Sequence, residues 1–395
     1  MNQDKILNLI GKINLNNQFD KIFSVKNNFL ITNLISDSHY FEMTGESMYY
    51  ALLEQEKKLG INNKEKKKKI VKAIIERKKH CGGIFHHESF NGEKDTQLRS
   101  TSAAVRTLLV AEKDGFIYEK ELLEIVDHHF SYYFNWDDVI WFCHDTSEKE
   151  GVTPKSHLKT SYWKKEKRNT LTLNTHLDSL TTLLLFIEQY PNQKEKYKDL
   201  LSKSILAVNK IIKTKDKSNY FNSFLQKIDD RIFNVYLKII INPHKIWVLY
   251  QKIVHPLFFK VLSPTLFFKN GYIGRDMSVA NIHVDYFLVN ITDFLRLLSV
   301  YNSIEYKLDT AELNTSSILE ILEKSFSLLE INENIKAYAK STDLGKAWYA
   351  EAHYLYSFYS KKYEMVVNEI KTSELYNLET TIFAKHHNRY LYERC

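Results

Sequence analysis

Residues that interrupt regular structure are scarce in this chain. Only 11 glycines and 5 prolines occur among 395 residues, whereas an all-β protein needs turn residues at intervals of about 8–12 positions. Hydrophobic residues make up 44% of the chain and aromatic residues 13%, which is enough for a sizeable core. The composition therefore argues against an all-β protein and favours a mostly helical one.

Cysteine is also rare. Cys81, Cys143 and Cys395 are odd in number and far apart, so they form no disulfide framework or CxxC metal pair and indicate a reducing compartment. The N-terminal sequence MNQDKILNLIGKINL lacks the basic-then-apolar pattern of a signal peptide, and no apolar run reaches the about 18 residues of a membrane span. We expect a cytoplasmic protein.

The motifs of several enzyme classes are missing as well. The chain contains no GxSxG, HExxH or GxGxxG sequence, and no GK[ST] follows Gly82 and Gly83. Serine-nucleophile chemistry, HExxH zinc proteolysis and dinucleotide binding are therefore unsupported. The net charge of +7 is mild and suits an anionic small molecule, an acidic glycan or an anionic membrane surface. Without a zinc-finger or RNP motif we expect no nucleic-acid partner.

One design recurs along the chain, a helix whose first residues are polar and whose remainder is apolar. The clearest example is NTHLDSLTTLLLFIE at 174–188, and IHVDYFLVNITDFLRLL at 282–298 repeats it. Related helices are predicted to begin near residues 45, 99 and 346. The spacing between the starts near 174 and 283 is about twice the others, which predicts a further helix of this kind near residue 220.

A plainer amphipathic helix is predicted between successive polar-ended helices, as at 64–79, 120–134, 197–213 and 316–330. Such a helical pair cannot bury its apolar face alone, so successive pairs stack and can close into a ring. The pattern predicts an all-α (α/α)6 toroid over residues 43–372, with long loops at the mouths, the N-terminal ends of the inner helices. Residues 1–42 would pack on the toroid and 373–395 would form a helical tail. The alternative is an irregular helical bundle.

Histidine and aspartate pairs lie at or before these mouths. His144 and Asp145 are adjacent, whereas the other pairs have HxD spacing, which in a regular helix places the two side chains roughly 200° apart. An HxD pair therefore cannot act alone, but the mouths would bring different pairs to one cavity, where the helix dipole favours carboxylates. With one glutamate from the loop at 80–97, the candidate catalytic residues are Glu88, His144, Asp145, His176, Asp178, His283 and Asp285. Alternatively, each aspartate caps its helix and each histidine packs against a neighbour.

Substrate contacts are predicted from the other polar and aromatic residues of these segments. Arg99 or Arg275 would clamp a carboxylate, although Arg275 could instead form a structural pair with Asp276. Trp348 and Tyr349 would stack on the apolar face of a sugar or belong to the core. The full candidate set is His87, Arg99, Trp141, Arg275, Tyr286, Trp348, Tyr349 and Glu351. The spacings match no zinc signature, so we expect neither a metal ion nor another cofactor.

Residues 232–268 differ in composition from the rest of the chain. They mix aromatic, aliphatic and basic residues with little acid, and prolines at positions 243, 256 and 264 divide them into short pieces. This composition predicts contact with an anionic membrane surface, which would suit a lipid-linked glycan at the inner face of the membrane. The alternative is that these residues form the buried helices of the fourth repeat.

The segments WFCHDTSEKEG, LNTHLDSLTTLL, NGYIGRD and HVDYFLVN, with the alternating helices, resemble carbohydrate-active (α/α)6-toroid proteins. Among these are the helical domain of D-glucuronyl C5-epimerases and related toroid hydrolases and lyases, and the resemblance covers residues 45–360 in architecture. It implies an enzyme that hydrolyses, eliminates or epimerises an acidic polysaccharide or glycoconjugate through acid–base residues, within surface-polysaccharide synthesis. The alternative is a non-catalytic helical interaction protein. The sequence leaves the sugar, the linkage and the oligomeric state open.

Overall fold

The computed structural model describes much of the central part of the chain. The described residues are 23–26, 29–32, 62–81, 87–88, 94–95, 98–146, 171–214, 266–276 without 269, 284–304 and 309–337 without 334, together with residue 148 and single positions between 45 and 60 and between 348 and 356. They are mostly helical, as the composition predicts. None of the helices among them is long and apolar enough to cross a membrane.

The helices agree closely with the periodic patterns of the sequence. In chain order they are α1 (Lys64–Cys81), α2 (Leu98–Lys113), α3 (Glu119–Phe130), α4 (Leu173–Gln189), α5 (Lys194–Ile212), α6 (Val284–Ile304) and α7 (Thr315–Ile331). The described positions at 45–56 and 348–356 are also helical. The start of α7 shows a local cause, since the Asn314 side chain accepts a hydrogen bond from the Ser317 N–H at 3.1 Å and caps the helix.

Helices α2, α4 and α6 form the centre of the described fold. Almost all their described side chains are buried, which is typical of helices enclosed on all sides. Arg99, near the start of α2, donates to the carbonyl of Asn174, near the start of α4, at 3.2 Å. Further along α2, Arg106 donates to Asp178, one turn further along α4, at 3.0 Å. The two helices are therefore parallel neighbours.

Each central helix is accompanied by the helix that follows it. α3 packs against α2, α5 against α4, and α7 against α6. These companions bury one face only, as in α5, where Leu201, Ile205, Val208 and Ile212 are buried at helical spacing. The Asn209 amide of α5 also donates to the Glu312 carbonyl just before α7 at 2.7 Å. The described helices thus alternate between enclosed and one-sided.

Helices α4 and α6 are direct neighbours although residues 190–283 lie between them in the chain. Their contact is the most extensive one between described helices, and in the described part no helix separates them. The predicted inner helix near residue 220 lies outside the described residues, as does the predicted tail at 373–395.

A β-hairpin occupies part of a region that the sequence assigns to helix and irregular loop. The predicted helix at 120–134 instead ends at Phe130. After it, β5 (Tyr133–Trp136) pairs with β6 (Val139–Phe142) in antiparallel register. Two further hairpins pair β1 (Phe23–Lys26) with β2 (Phe29–Thr32), and β3 (His87–Glu88) with β4 (Lys94–Asp95). Every residue of β6 is buried. Because no polar–apolar alternation marks such a strand, the sequence pattern does not reveal it.

Residues 266–276 fold back on themselves and dock on α7. Phe267 pairs with Ile273 as a β-bridge, and Phe267 is buried in the core. Gly271, with φ of 94°, lies so close to α7 that a Cβ atom would be 2.2 Å from the Lys324 carbonyl oxygen, so only glycine fits there. Its own carbonyl accepts a hydrogen bond from the Ser325 hydroxyl at 2.6 Å. The rest of segment 232–268, with its predicted membrane contact, lies outside the described residues.

Candidate functional site

Two loops cover the N-terminal ends of α2 and α4. The Leu98 N–H donates to the His144 carbonyl at 3.1 Å, and the Leu173 N–H donates to the Arg275 carbonyl at 3.0 Å. Because the first N–H groups of a helix have no partner within the helix, these contacts satisfy them. The loop after β6 and the loop before α6 are therefore held at the same end of the two helices.

Further hydrogen bonds draw α4 and α6 to these loops. The His144 Nδ1 and the Thr175 hydroxyl, at the start of α4, are 2.8 Å apart. The Asn290 amide of α6 donates to the Gly274 carbonyl at 2.9 Å. The loop after β6 thus contacts the starts of α2 and α4, and the loop before α6 contacts the start of α4 and the second turn of α6.

Polar side chains of the two loops form a group that we call the mouth cluster, which consists of His144, Asp145, Glu148, Arg275 and Asp276. The His144 N–H donates to the Glu148 carboxyl at 2.6 Å, and the Glu148 N–H donates to Asp145 at 3.1 Å. The Arg275 Nε and an Asp276 carboxylate oxygen are 3.8 Å apart. Asp145 and Asp276 are buried, whereas His144 and Glu148 are partly exposed.

The Glu148 carboxyl group has an unusual acidity. Protein atoms surround it densely although part of the side chain reaches solvent, and this burial is the main cause that raises its pKa to about 8. The charges of Asp145 and Asp276 raise it further, while the hydrogen bond from His144 and the charge of Arg275 oppose the shift. At neutral pH Glu148 therefore keeps its proton beside two other carboxyl groups.

Arg275 has an aromatic neighbour that fixes its direction. Its guanidinium carbon lies 4.6 Å from the centre of the Tyr286 ring, which belongs to the first turn of α6. Arg275 and Tyr286, both predicted as substrate contacts, are therefore adjacent at the mouth, and the predicted pair of Arg275 with Asp276 is also present.

Beneath the mouth lies a second group of charges, which we call the ionic network: Glu46, Arg99, Arg106, Asp178, Asp293 and Arg296. Arg99 binds both carboxylate oxygens of Asp293 at 2.5 and 3.0 Å. Arg106 binds both oxygens of Glu46 at 2.7 and 3.0 Å and also Oδ1 of Asp178 at 3.0 Å. Arg296 donates to Asp293 at 2.8 Å.

The ionic network is balanced in charge. It contains three guanidinium groups and three carboxyl groups, all of them more than nine-tenths buried. Burial would raise the pKa of Asp178, but the charges of Arg106, Arg99 and Arg296 lower it below the ordinary value. Burial does raise the pKa of Glu46, against the opposing charge and hydrogen bonds of Arg106. Asp178 is therefore a buried carboxylate that the arginines hold ionised.

His176 and Trp141 lie behind the mouth in the packed core. The His176 Nδ1 accepts from the Phe142 N–H at 3.1 Å, and its Nε2 lies 3.2 Å from the Ser204 carbonyl, which fixes the proton on Nε2. The Trp141 ring stacks on the imidazole with centroids 3.9 Å apart. Burial lowers the pKa of His176 to about 3, so the ring is neutral and joins β6 to α4 and α5.

The other predicted site residues fall into two groups. Tyr349 is buried with its ring centre 4.4 Å from that of His353, and Trp348 packs against the core while partly exposed. His283 and Glu351 lie outside the described residues, and so do the side chains of His87, Glu88 and Asp285. His87 and Glu88 form strand β3, and Asp285 is the second residue of α6.

Several residues of the mouth cluster and of the ionic network are not among those predicted from the sequence. Glu148 stands three residues after Asp145, and its backbone closes a turn onto that carboxylate, but nothing in the sequence separates it from the neighbouring charges. Arg106, Asp293 and Arg296 do carry a signal, because each is a charged residue within an otherwise apolar helix. A charge in an enclosed helix must find a partner on another element.

Comparisons with protein-family models, with curated proteins and with solved structures yield no match for this chain. Among the described residues, no group of three or more His, Cys, Asp or Glu side chains is arranged to hold a metal ion. The chemistry of the site therefore has to be inferred from its own side chains, of which Glu148 is the most unusual.

Proposed function

We propose that this protein is a carbohydrate-active enzyme whose general acid is Glu148. The observation that carries the proposal is a partly exposed carboxyl group with a pKa near 8 next to Asp145 and Asp276. Carboxyl groups whose environments differ in this way can divide the roles of acid and base at neutral pH. Cleavage of a glycosidic bond uses such a division, since one group protonates the leaving oxygen and the other assists the attack.

The fold that supports this site is proposed to be an (α/α)6 toroid. Three enclosed helices, α2, α4 and α6, each pack against the helix that follows in the chain. The helical positions at 45–56 and 348–356 would supply further inner helices. In this arrangement the mouth cluster lies at the N-terminal ends of the inner helices, where long loops shape a groove.

The substrate is proposed to be an acidic polysaccharide or glycoconjugate. Arg275 is positioned at the mouth by the Tyr286 ring and would face a sugar carboxylate, whereas the predicted alternative, Arg99, is already bound by both oxygens of Asp293. His144, held by Thr175, would assist Glu148. Protonation by Glu148 and proton removal by a neighbouring carboxylate serve hydrolysis, elimination or epimerisation alike.

A turnover screen on acidic polysaccharides tests the proposal. Wild type would be compared with Glu148→Gln, which keeps the shape of the side chain and removes its acid function. We expect kcat to fall by about 10²- to 10⁴-fold, the usual contribution of a general acid. Glu320→Gln is the matched control, because the Glu320 side chain is about half exposed on α7, where it binds Lys324 at 2.8 Å.

Two outcomes would count against the enzyme. Equal turnover by wild type and Glu148→Gln would remove Glu148 from the reaction. No turnover of any polysaccharide by a folded wild-type protein would favour the non-catalytic interaction protein instead. Circular dichroism of each variant separates a catalytic loss from a loss of fold.

A further inference from the structure

Two buried acceptor atoms on α4 receive no hydrogen bond from the part of the chain that the structure describes. Asn174 is 5% exposed and Asp178 is 3% exposed, and neither Asn174 Oδ1 nor Asp178 Oδ2 has a hydrogen-bond partner among the residues that the structure describes. Because four residues separate them, the two side chains lie on the same face of the helix, one turn apart. Buried polar atoms are almost always bonded in native proteins, so this pair needs an explanation.

The nearby donors are already directed at other atoms. Arg106 gives its contacts to Glu46, to the other oxygen of Asp178 and to the Thr182 hydroxyl. Arg99 gives its contacts to Asp293 and to the backbone carbonyl of Asn174. The guanidinium groups therefore hold the α4 face in place without using Asn174 Oδ1 or Asp178 Oδ2.

Asn174 and Asp178 lie on the part of α4 that contacts the mouth cluster. Asn174 directly precedes Thr175, which binds His144 of the mouth cluster at 2.8 Å. Asp178 lies one turn further into the fold. Asn174 is therefore the member of the pair nearer in sequence to the contact with the mouth cluster.

We propose that Asn174 and Asp178 form the floor of a subsite that accepts hydrogen bonds from a hydroxyl group of the ligand. The inference rests on the proposed function for the identity of the ligand as a saccharide. A hydroxyl group can donate to an acceptor without bringing charge. An ammonium group would donate as well, but it would add a fourth positive charge beside Arg99, Arg106 and Arg296, whose charges the three carboxyl groups of the network already balance.

Asn174→Leu and Asn174→Asp test the subsite. Leucine has nearly the same shape as asparagine and cannot accept a hydrogen bond, whereas aspartate keeps an acceptor. The probes are a panel of neutral methyl glycosides and D-glucosamine, with binding followed by ligand-observed NMR at pH 7. We expect at least one neutral glycoside to bind wild type, Asn174→Leu to weaken it tenfold or more, and Asn174→Asp to retain it.

Thermal unfolding without ligand gives a second, independent readout. Replacing an unpaired buried acceptor by an apolar group removes a desolvation penalty, so Asn174→Leu should raise Tm while it weakens binding, as is common for binding residues. Ser179→Ala is the control, because Ser179 Oγ is also buried without a described partner but lies on another face of α4. It should leave glycoside binding unchanged.

Three results would overturn the inference. They are the absence of glycoside binding by wild type, unchanged binding with a lowered Tm in Asn174→Leu, and tighter binding of glucosamine than of every neutral glycoside. None of these depends on turnover. A failure of the subsite is therefore distinguishable from a failure of Glu148 as the acid.

Discussion

The mouth cluster and the ionic network are built from the same types of side chain but differ in how the charges are matched. In the network three arginines face three carboxyl groups and every one of them is buried. In the mouth cluster the charges of Asp145 and Asp276 act on the pKa of Glu148 in one direction and the charge of Arg275 in the other, and Glu148 reaches solvent in part.

The difference shows that neighbouring charges decide whether the effect of burial on the pKa is reversed, as at Asp178, or reinforced, as at Glu148. Burial alone raises the pKa of both Asp178 and Glu148. Three arginines reverse that effect at Asp178, whereas two carboxyl groups reinforce it at Glu148. A carboxylate paired with arginines is suited to holding helices together, whereas a carboxyl group beside other carboxyl groups keeps a proton that it can donate as a general acid.

The largest effect is expected from breaking the network at its most connected carboxylate. Asp293→Ala leaves both Arg99 and Arg296 without the carboxylate they bind. An uncompensated buried charge costs about 3–5 kcal/mol, and urea unfolding should show a loss of that size. Asp145→Asn at the mouth serves as the comparison and should cost less, and an equal loss in both variants would contradict the distinction between the two groups.

A fall in pH should destabilise the protein through the core histidines, whereas a rise in pH should destabilise it through Glu148 at the mouth. Burial lowers the pKa of His129 and of His176 to about 3 from 6.5, so their stability contribution is present above pH 6.5 and is lost as pH falls. Each changes the free energy of unfolding by at most about 1.4 kcal/mol per pH unit. The pKa of Glu148 is raised from 4.5 to about 8, so its contribution is present below pH 4.5 and is lost as pH rises through 8.

Urea unfolding between pH 4 and pH 9 measures both limbs. Glu148→Gln should flatten the alkaline limb and leave the acid limb unchanged. An alkaline limb that persists in Glu148→Gln would show that another group causes it.

A smaller effect is expected from moving the loop that carries Arg275. Gly271→Ala places a Cβ atom against the Lys324 carbonyl, so the loop must shift, and strains a backbone with φ of 94°; the backbone strain alone costs about 1–3 kcal/mol. Because the same loop carries Asp276, the pKa of Glu148, read from the pH dependence of stability, should shift too. Gly115→Ala is the control for positive φ alone, since nothing lies within 4 Å of a Cβ atom there.

The smallest effect is expected at a surface pair of the same chemistry. Lys324 and Glu320 are 2.8 Å apart on α7 and both side chains are about half exposed. Exposed pairs contribute about 0–1 kcal/mol, so Lys324→Met should change the free energy of unfolding by less than about 0.5 kcal/mol. A loss comparable to that of Asp293→Ala would mean that burial does not separate the network from the surface.

Much of the helical framework can be predicted from the sequence. The spacing of apolar residues predicts α1, α2, α4 and α7 to within two residues at each end, because each presents a long, regular buried face. The hairpin of β5 and β6 cannot be predicted in this way, since its strands are short and β6 is buried on both faces.

Only part of the candidate site can be predicted from the sequence. The sequence singles out His144 and Asp145 as an adjacent His–Asp pair in a long loop, and Arg275 as a charged residue in the loop before α6. The role of Glu148 cannot be predicted, because its raised pKa comes mainly from burial, then from Asp145, and further from Asp276 of another loop, and burial and loop docking arise only in the folded chain. The pairing of Arg99 with Asp293 likewise joins residues on α2 and α6 that no local pattern connects.

The direct contact between α4 and α6 has a consequence for how the chain folds. Residues 190–283 form the loop that must close before this contact exists, and the cost of closing a loop rises with its length. Contacts distant in sequence slow folding. We therefore expect α4 and α5 to associate early as a helical hairpin and α6 to join late. Stopped-flow refolding should show Asp293→Ala accelerating unfolding with little change in the refolding rate, since Asp293 engages only after α6 has arrived.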